Sequence, residues 1–246
     1  MTLLETTMIG FLAGTLGTGL GGLMAIFLCK IRASQLSALL GFSAGIMLAI
    51  VSFELMPRAL EIGGIFVGIV GLIMGAILMA GVDLLLPHWH LTGEKETSPY
   101  IKTGVVLGLG IAMHNLPEGL AIGGGGSQGT ALGIALALSI MVHNIPEGLA
   151  MALPLTLGKV CGSKTLLGTI AVGVPMGLGA FIGGLIGQVS PAFLSIALSF
   201  AAGAMLFITC DEMIPQAEGL SEGHSATFGT VAGVISGILI TSLITG

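Results

Sequence analysis

The chain has 246 residues, of which 54% are hydrophobic and only 8% are Asp, Glu, Lys or Arg. A soluble domain usually carries about 25% charged residues, so this composition excludes a water-soluble globule and, through its apolar content, intrinsic disorder. The 7 Lys and Arg residues form no basic cluster, which excludes a nucleic-acid surface. The composition therefore indicates an integral membrane protein.

Apolar segments long enough to cross a bilayer follow one another along the whole chain. A spanning helix needs about 20 mostly apolar residues. Two of the breaks between segments are a polar loop at Arg58 to Ile62 and a glycine-rich stretch at Gly123 to Gly129. Dividing the chain at such breaks predicts an all-α polytopic membrane protein with eight transmembrane helices, at 5–29, 36–57, 62–86, 102–125, 129–156, 165–188, 191–217 and 226–245.

The positive charges fall almost entirely on one side of this predicted topology. Only Arg58 lies on the other side. By the positive-inside rule the basic side is cytoplasmic and both termini are extracytoplasmic, as expected for a multi-pass protein of the inner (plasma) membrane. The basic residues of the loops between spans 1 and 2, 3 and 4, and 5 and 6 are Lys30, Arg32, Lys95, Lys102, Lys159 and Lys164.

A short motif occurs twice, in predicted spans 4 and 5. Residues 111–121 read IAMHNLPEGLA and residues 140–150 read IMVHNIPEGLA, an offset of 29 residues. Adjacent spans run in opposite directions, so the two copies are antiparallel and both lie near the middle of the membrane.

A second similarity relates predicted spans 2 and 7, which also run in opposite directions. Residues 42–59 (FSAGIMLAIVSFELMPRA) match residues 200–217 (FAAGAMLFITCDEMIPQA) at an offset of 158 residues. Three helices, a central pair and three more helices would then form one domain, 1–246, with 3+2+3 inverted-repeat organisation. Inverted repeats of this kind are typical of secondary transporters.

The repeated motif places polar side chains where hydrocarbon makes them costly, which marks a functional site. His114 and Glu118 are four residues apart and share a helix face, with Asn115 adjacent to Glu118. Pro117 removes an N–H group and frees a backbone carbonyl beside them. The second copy supplies His143, Asn144 and Glu147 in the same way. Imidazole with carboxylate suits Zn²⁺ and other first-row divalent metals.

Other polar groups within or beside the spans are weaker candidates. Met47 could offer a thioether, although methionine on a helix usually packs. Glu54 and Glu212 each precede a proline by three residues near the outer ends of spans 2 and 7. Each could act as a gate, as a ligand at the entrance or as a snorkelling cap, and the sequence leaves these roles open. His88 and His90 could hand metal to the cytoplasm or be ordinary solvated loop residues.

The paired HNxPEG motifs resemble those of the ZIP family of divalent metal transporters, in its bacterial GufA-like or ZupT-like branch. The resemblance implies Zn²⁺ uptake toward the cytoplasm, often with Fe²⁺, Mn²⁺ or Cd²⁺ accepted, and an elevator-like motion of one helix bundle against another. It also implies roles for the following residues: a main metal site at His114, Glu118, His143 and Glu147, a thioether from Met47, a second adjacent position lined by Asn115 and Asn144, and Glu212 on the pathway.

The sequence departs from this family pattern in one respect. Binuclear members commonly carry a carboxylate at the position of Asn144 and another Glu in span 6, whereas no acid occurs here from Thr165 to Val189. We therefore expect one tightly bound metal rather than a bridged pair. The expected partners are divalent metal ions and the lipid bilayer, with a homodimer through glycine-rich faces reasonable.

Two other function classes fit the sequence less well. An intramembrane metal hydrolase of the HExxH type needs a general-base Glu directly after its first His, and Asn115 and Asn144 occupy that place. An ion-coupled carrier of a small organic solute would be favoured by Lys or Arg in mid-span, and the sequence has neither there. We predict a transporter that is not an enzyme and has no catalytic cofactor.

Overall fold

The computed structural model describes residues 1–28, 32–85, 98–186 and 191–245, and over these residues the chain is helical without any strand. Two π-helical turns, Val51–Leu55 and Thr209–Met213, each join two α-helices into one continuous helical stretch. The helices are α1 (Leu3–Phe27), α2 (Ala33–Ile50), α3 (Met56–Leu85), α4 (Pro99–Gln128), α5 (Thr130–Leu157), α6 (Gly162–Ile186), α7 (Pro191–Ile208), α8 (Ile214–Gly219) and α9 (Ser225–Thr245).

The predicted all-helical class is confirmed. Among the described residues, 7 helical stretches are long and apolar enough to cross a membrane, and one of these, Ala33–Gly81, has 49 residues. That is about twice the length that a bilayer requires. Its backbone leaves helical geometry at Gly64, where φ is 76° and ψ is 172°. Only glycine adopts this region without strain, so Gly64 lets the chain change direction inside an apolar stretch.

The predicted loop at Arg58 to Ile62 is wrong, because these residues lie in α3. In a regular helix the ring of Pro57 would clash with the carbonyl four residues back. The π-helical turn just before it changes that spacing: the Met56 N–H donates to the carbonyl of Val51, five residues back. The chain therefore stays helical past the proline and bends only at Gly64.

The second π-helical turn precedes a proline in the same way. The Ile214 N–H donates to the carbonyl of Thr209, and Pro215 follows.

The predicted break at Gly123 to Gly129 is shorter than expected, because α4 continues through the glycines and only Gly129 separates it from α5.

The helices pack as two groups. In the first, α1 and α4 both contact α5 and α6; in the second, α2 packs on α9 and α3 packs on α7. Glycines allow the closest crossings, since a methyl group added at Gly45 would overlap the backbone of Thr230 on α9, and one at Gly75 would overlap the backbone of Phe200 on α7. The motif helices α4 and α5 lie together in the first group, where α7 contacts α4 and α2 contacts α5.

Candidate metal centre

The two HNxPEG motifs lie inside long helices, α4 and α5, that continue through Pro117 and Pro146. His114 and Glu118 project from one face of α4, as their spacing predicts. The matched residues, His143 and Glu147, project from α5. All four side chains are at most 1% exposed, so the two motif helices bury their ionisable groups against each other.

The histidines and glutamates pair across the two helices. His114 Nε2 lies 3.0 Å from Glu147 Oε2, and His143 Nε2 lies 3.1 Å from Glu118 Oε1. Each imidazole is therefore bonded to the carboxylate of the other motif copy, although a carboxylate of its own helix is one turn away. The result is a compact group of two imidazoles and two carboxylates, which we call the crossed cluster.

The crossed cluster has the geometry of a cation site. One ligand atom each from His114, Glu118 and Glu147 lies within 4.8 Å of the other two, and His143 joins them through Glu118. The second oxygens, Glu118 Oε2 and Glu147 Oε1, are buried and have no hydrogen-bond partner within the described part of the chain. Buried carboxylate oxygens rarely remain unpaired, and two anionic oxygens can balance the charge of a divalent ion.

The two motif asparagines are fully buried and their amides contact α6. Asn115 Nδ2 donates to the carbonyl of Val172 at 2.7 Å, and Asn144 Nδ2 donates to Met176 Sδ at 3.8 Å. Their Oδ1 atoms are buried without a partner among the described residues. Helix α6 thus orients both amides and leaves both amide oxygens available as neutral donors.

The two outlying candidates make separate contacts. Met47 is 1% exposed, and its thioether accepts a hydrogen bond from Thr209 Oγ1 at 3.7 Å. Glu212 lies half-buried in the second π-helical turn, where Gln216 Nε2 donates to it at 2.6 Å. Among the described histidines and acids, Glu212 is not one of the three that lie within 4.8 Å of one another. His88 and His90 lie outside the described residues.

Sequence reasoning undervalued one pair beside the crossed cluster. Glu54, in the first π-helical turn, is only 5% exposed and accepts a hydrogen bond from Ser139 Oγ at 2.6 Å. Ser139 is one turn before His143 on the same face of α5, a spacing that could have singled it out.

Comparison with known proteins identifies the family. The family model described as ZIP Zinc transporter matches residues 92–245. The zinc transporter ZupT of Corynebacterium glutamicum is 34% identical over 240 residues, covering 89% of this chain and 91% of that protein. The ZupT of Streptococcus mutans is 32% identical over 244 residues, covering 91% of each chain. The zinc transporter ZIPB of Bordetella bronchiseptica is 36% identical over 237 residues, covering 92% of this chain and 77% of that protein.

These matches confirm the resemblance that the paired motifs indicated. The family is one of transporters rather than enzymes, and the several apolar helices described above make the chain a multi-pass membrane protein. The chain belongs to the ZIP zinc transporter family.

Proposed function

We propose that this protein carries divalent metal cations, Zn²⁺ foremost, across the membrane into the cytoplasm through the crossed cluster. The observation that carries the proposal is the crossed pairing of two buried imidazoles with two buried carboxylates. A divalent cation can exchange the two His–Glu hydrogen bonds for coordination bonds. The charge of two glutamates then balances that of the ion in surroundings of low dielectric constant, where an unbalanced charge would be costly.

We propose His114, Glu118, His143 and Glu147 as the ligands of the transported ion. Asn115 and Asn144 would line its position with amide oxygens, and Glu212 would lie on the pathway.

Helix α2 runs along α5 in a register that supports Met47 as an additional thioether ligand. Ser43 Oγ donates to the carbonyl of Pro146 at 2.9 Å, and farther along the same pair of helices Ser139 donates to Glu54. Met47 lies between these two contacts on the α2 side, as His143 does on the α5 side.

We also propose the eight-span, 3+2+3 inverted-repeat organisation of a single domain, 1–246. The packing supports it: exchanging α1 with α6, α2 with α7, α3 with α9 and α4 with α5 leaves the set of main helix contacts unchanged. The π-helical turns support it too. They lie at matched places in the sequence repeat that relates residues 42–59 to residues 200–217. The change of direction at Gly64 would divide the 49-residue stretch into spans 2 and 3.

The same proposal includes a lipid bilayer around the helices, a side for the termini and a state of assembly. Large apolar side chains point away from the packed interior, among them Phe27, Phe66 and Phe228, which are 80%, 79% and 73% exposed. Such surfaces fit the lipid of an inner (plasma) membrane. The distribution of Lys and Arg supports extracytoplasmic termini. A homodimer stays a proposal, and its interface would lie away from Gly14 and Gly21, which pack against α6 and α5 of the same chain.

Uptake into proteoliposomes tests the function. Purified protein in zinc-tight liposomes, loaded with a zinc-sensitive dye, should accumulate Zn²⁺ with saturable kinetics. Excess Cd²⁺, Fe²⁺ and Mn²⁺, added one at a time at two pH values, would rank the metals that compete. Zinc accumulation no faster than in empty liposomes would contradict the proposal, and would favour a carrier of organic solutes instead.

We expect one tightly held Zn²⁺ per chain. Helix α6 supplies no acid near the two asparagines, and both of their amide nitrogens bond to α6 instead. A second ion beside the first would therefore lack an additional anionic ligand. Elemental analysis of desalted protein should give one zinc per chain, and none after Glu118→Gln with Glu147→Gln. Two tightly held ions in the unaltered protein would contradict this expectation.

A further inference from the structure

Glu54 is a buried carboxylate that the crossed cluster does not include. It is 5% exposed, and among the described residues no Lys or Arg nitrogen lies within ion-pair distance of its carboxylate, including that of Arg58, which follows in the same helix. Its described hydrogen bond comes from the hydroxyl of Ser139. A hydroxyl compensates little of the cost of removing a carboxylate from water, so Glu54 is placed for a cationic partner.

The position of Glu54 is continuous with the crossed cluster. Ser139, whose hydroxyl donates to Glu54, and His143 are one turn apart on the same face of α5. The two contacts between α2 and α5, Ser43 to Pro146 and Ser139 to Glu54, lie on opposite sides of the level of His143. An ion that moves along this pair of helices away from the cluster, in the direction of Ser139, meets the Glu54 carboxylate.

The matched half of the molecule has a different residue at the place of Ser139. The counterpart of Glu54 in the longer repeat is Glu212, which is half-buried and accepts a hydrogen bond from Gln216 on its own helix. In the repeat that relates α4 to α5 at an offset of 29 residues, the counterpart of Ser139 is Gly110. This glycine has no hydroxyl and faces the side chain of Ile208. The residue matched to Ser139 therefore cannot repeat the hydroxyl–carboxylate contact on the other side of the cluster.

We infer that Glu54 is a transient ligand for the travelling cation, next to the crossed cluster, and that Ser139 donates to its carboxylate until a cation takes its place. The inference rests on the proposed function, because it assigns Glu54 to the same ion. A divalent ion offers the carboxylate two positive charges in place of one hydroxyl dipole, so it displaces the Ser139 hydrogen bond.

Two substitutions separate this role from that of a contact that merely holds α2 against α5. Glu54→Gln removes the charge but retains an oxygen that can accept from Ser139. Ser139→Ala removes the hydroxyl but retains the charge. If Glu54 binds the cation, Glu54→Gln should raise KM for zinc uptake about tenfold with little change in kcat, and Ser139→Ala should lower KM, because the hydroxyl no longer competes. A purely structural contact requires the reverse order, with Ser139→Ala the more damaged.

The measurement is the initial rate of Zn²⁺ uptake against zinc concentration in proteoliposomes. Glu54→Asp, which keeps the charge on a shorter side chain, should give an intermediate KM. Glu61→Gln, the same change at an exposed position of α3, should keep the unaltered KM. Impairment by Ser139→Ala that equals or exceeds that by Glu54→Gln would overturn the inference, as would an unaltered KM in Glu54→Gln. Failure of the unaltered protein to carry zinc would instead overturn the proposed function.

Discussion

His143→Ala and Glu147→Ala should each lower zinc uptake more than about 100-fold, since changes that only disturb the orientation of metal ligands already cost 10–100-fold in affinity or activity. These residues share a helix but belong to different crossed pairs. Each substitution removes a ligand and also leaves its partner, Glu118 or His114, buried without its 3.1 Å or 3.0 Å contact. A buried charge that has lost its partner is strongly unfavourable, so the remaining groups cannot simply keep their places around the ion.

The measurement is the uptake rate per folded protein in sealed proteoliposomes, with the amount of folded protein taken from size-exclusion chromatography. Leu116→Ala is the matched control, because Leu116 lies within the same motif but is 37% exposed on the outer side of α4. It should retain most of the activity. Unaltered uptake in either His143→Ala or Glu147→Ala would remove that residue from the proposed site.

The local spacing of the motif predicted the convergence of these side chains but could not predict their pairing. His114 and Glu118 are four residues apart, and such neighbours on one helix attract each other only weakly. The structure pairs His114 with Glu147 instead. That choice depends on how α4 crosses α5, which is a matter of tertiary packing, and no periodicity in either helix records it.

The two π-helical turns explain where sequence reasoning about the fold failed. Pro57 followed by Arg58 predicts the end of a span, yet the first π-helical turn allows the helix to continue through both residues. The longer repeat also suggested equivalent roles for Glu54 and Glu212. The structure buries Glu54 beside Ser139 and leaves Glu212 half-buried beside Gln216. A sequence repeat records which positions of the chain match, whereas the difference in burial between these two acids depends on the helices that pack against them.

Ala in place of the glycine that ends either motif should destabilise the protein by about 1–3 kcal/mol, or more if the backbones cannot move apart. Gly119 of α4 lies against α6, where an added methyl carbon would be 2.8 Å from the Ala180 nitrogen and would overlap the carbonyl of Met176. Gly148 of α5 lies against α1, where the added carbon would be 2.7 Å from the carbonyl carbon of Thr18 and would overlap its oxygen. These obstacles are backbone atoms, which cannot rotate aside as a side chain can.

Each glycine immediately follows a glutamate of the crossed cluster, so the same displacement that relieves the overlap also moves a proposed ligand. We therefore expect Gly119→Ala and Gly148→Ala to lower both the melting temperature in detergent and the rate of zinc uptake. Gly81→Ala is the control, because an added methyl there meets nothing within 4 Å and alanine is the better helix former. A melting temperature in Gly148→Ala equal to that of Gly81→Ala would mean that α1 and α5 are not held in backbone contact. The glycine of HNxPEG would then need another explanation than the close approach that sets Glu118 and Glu147 in place.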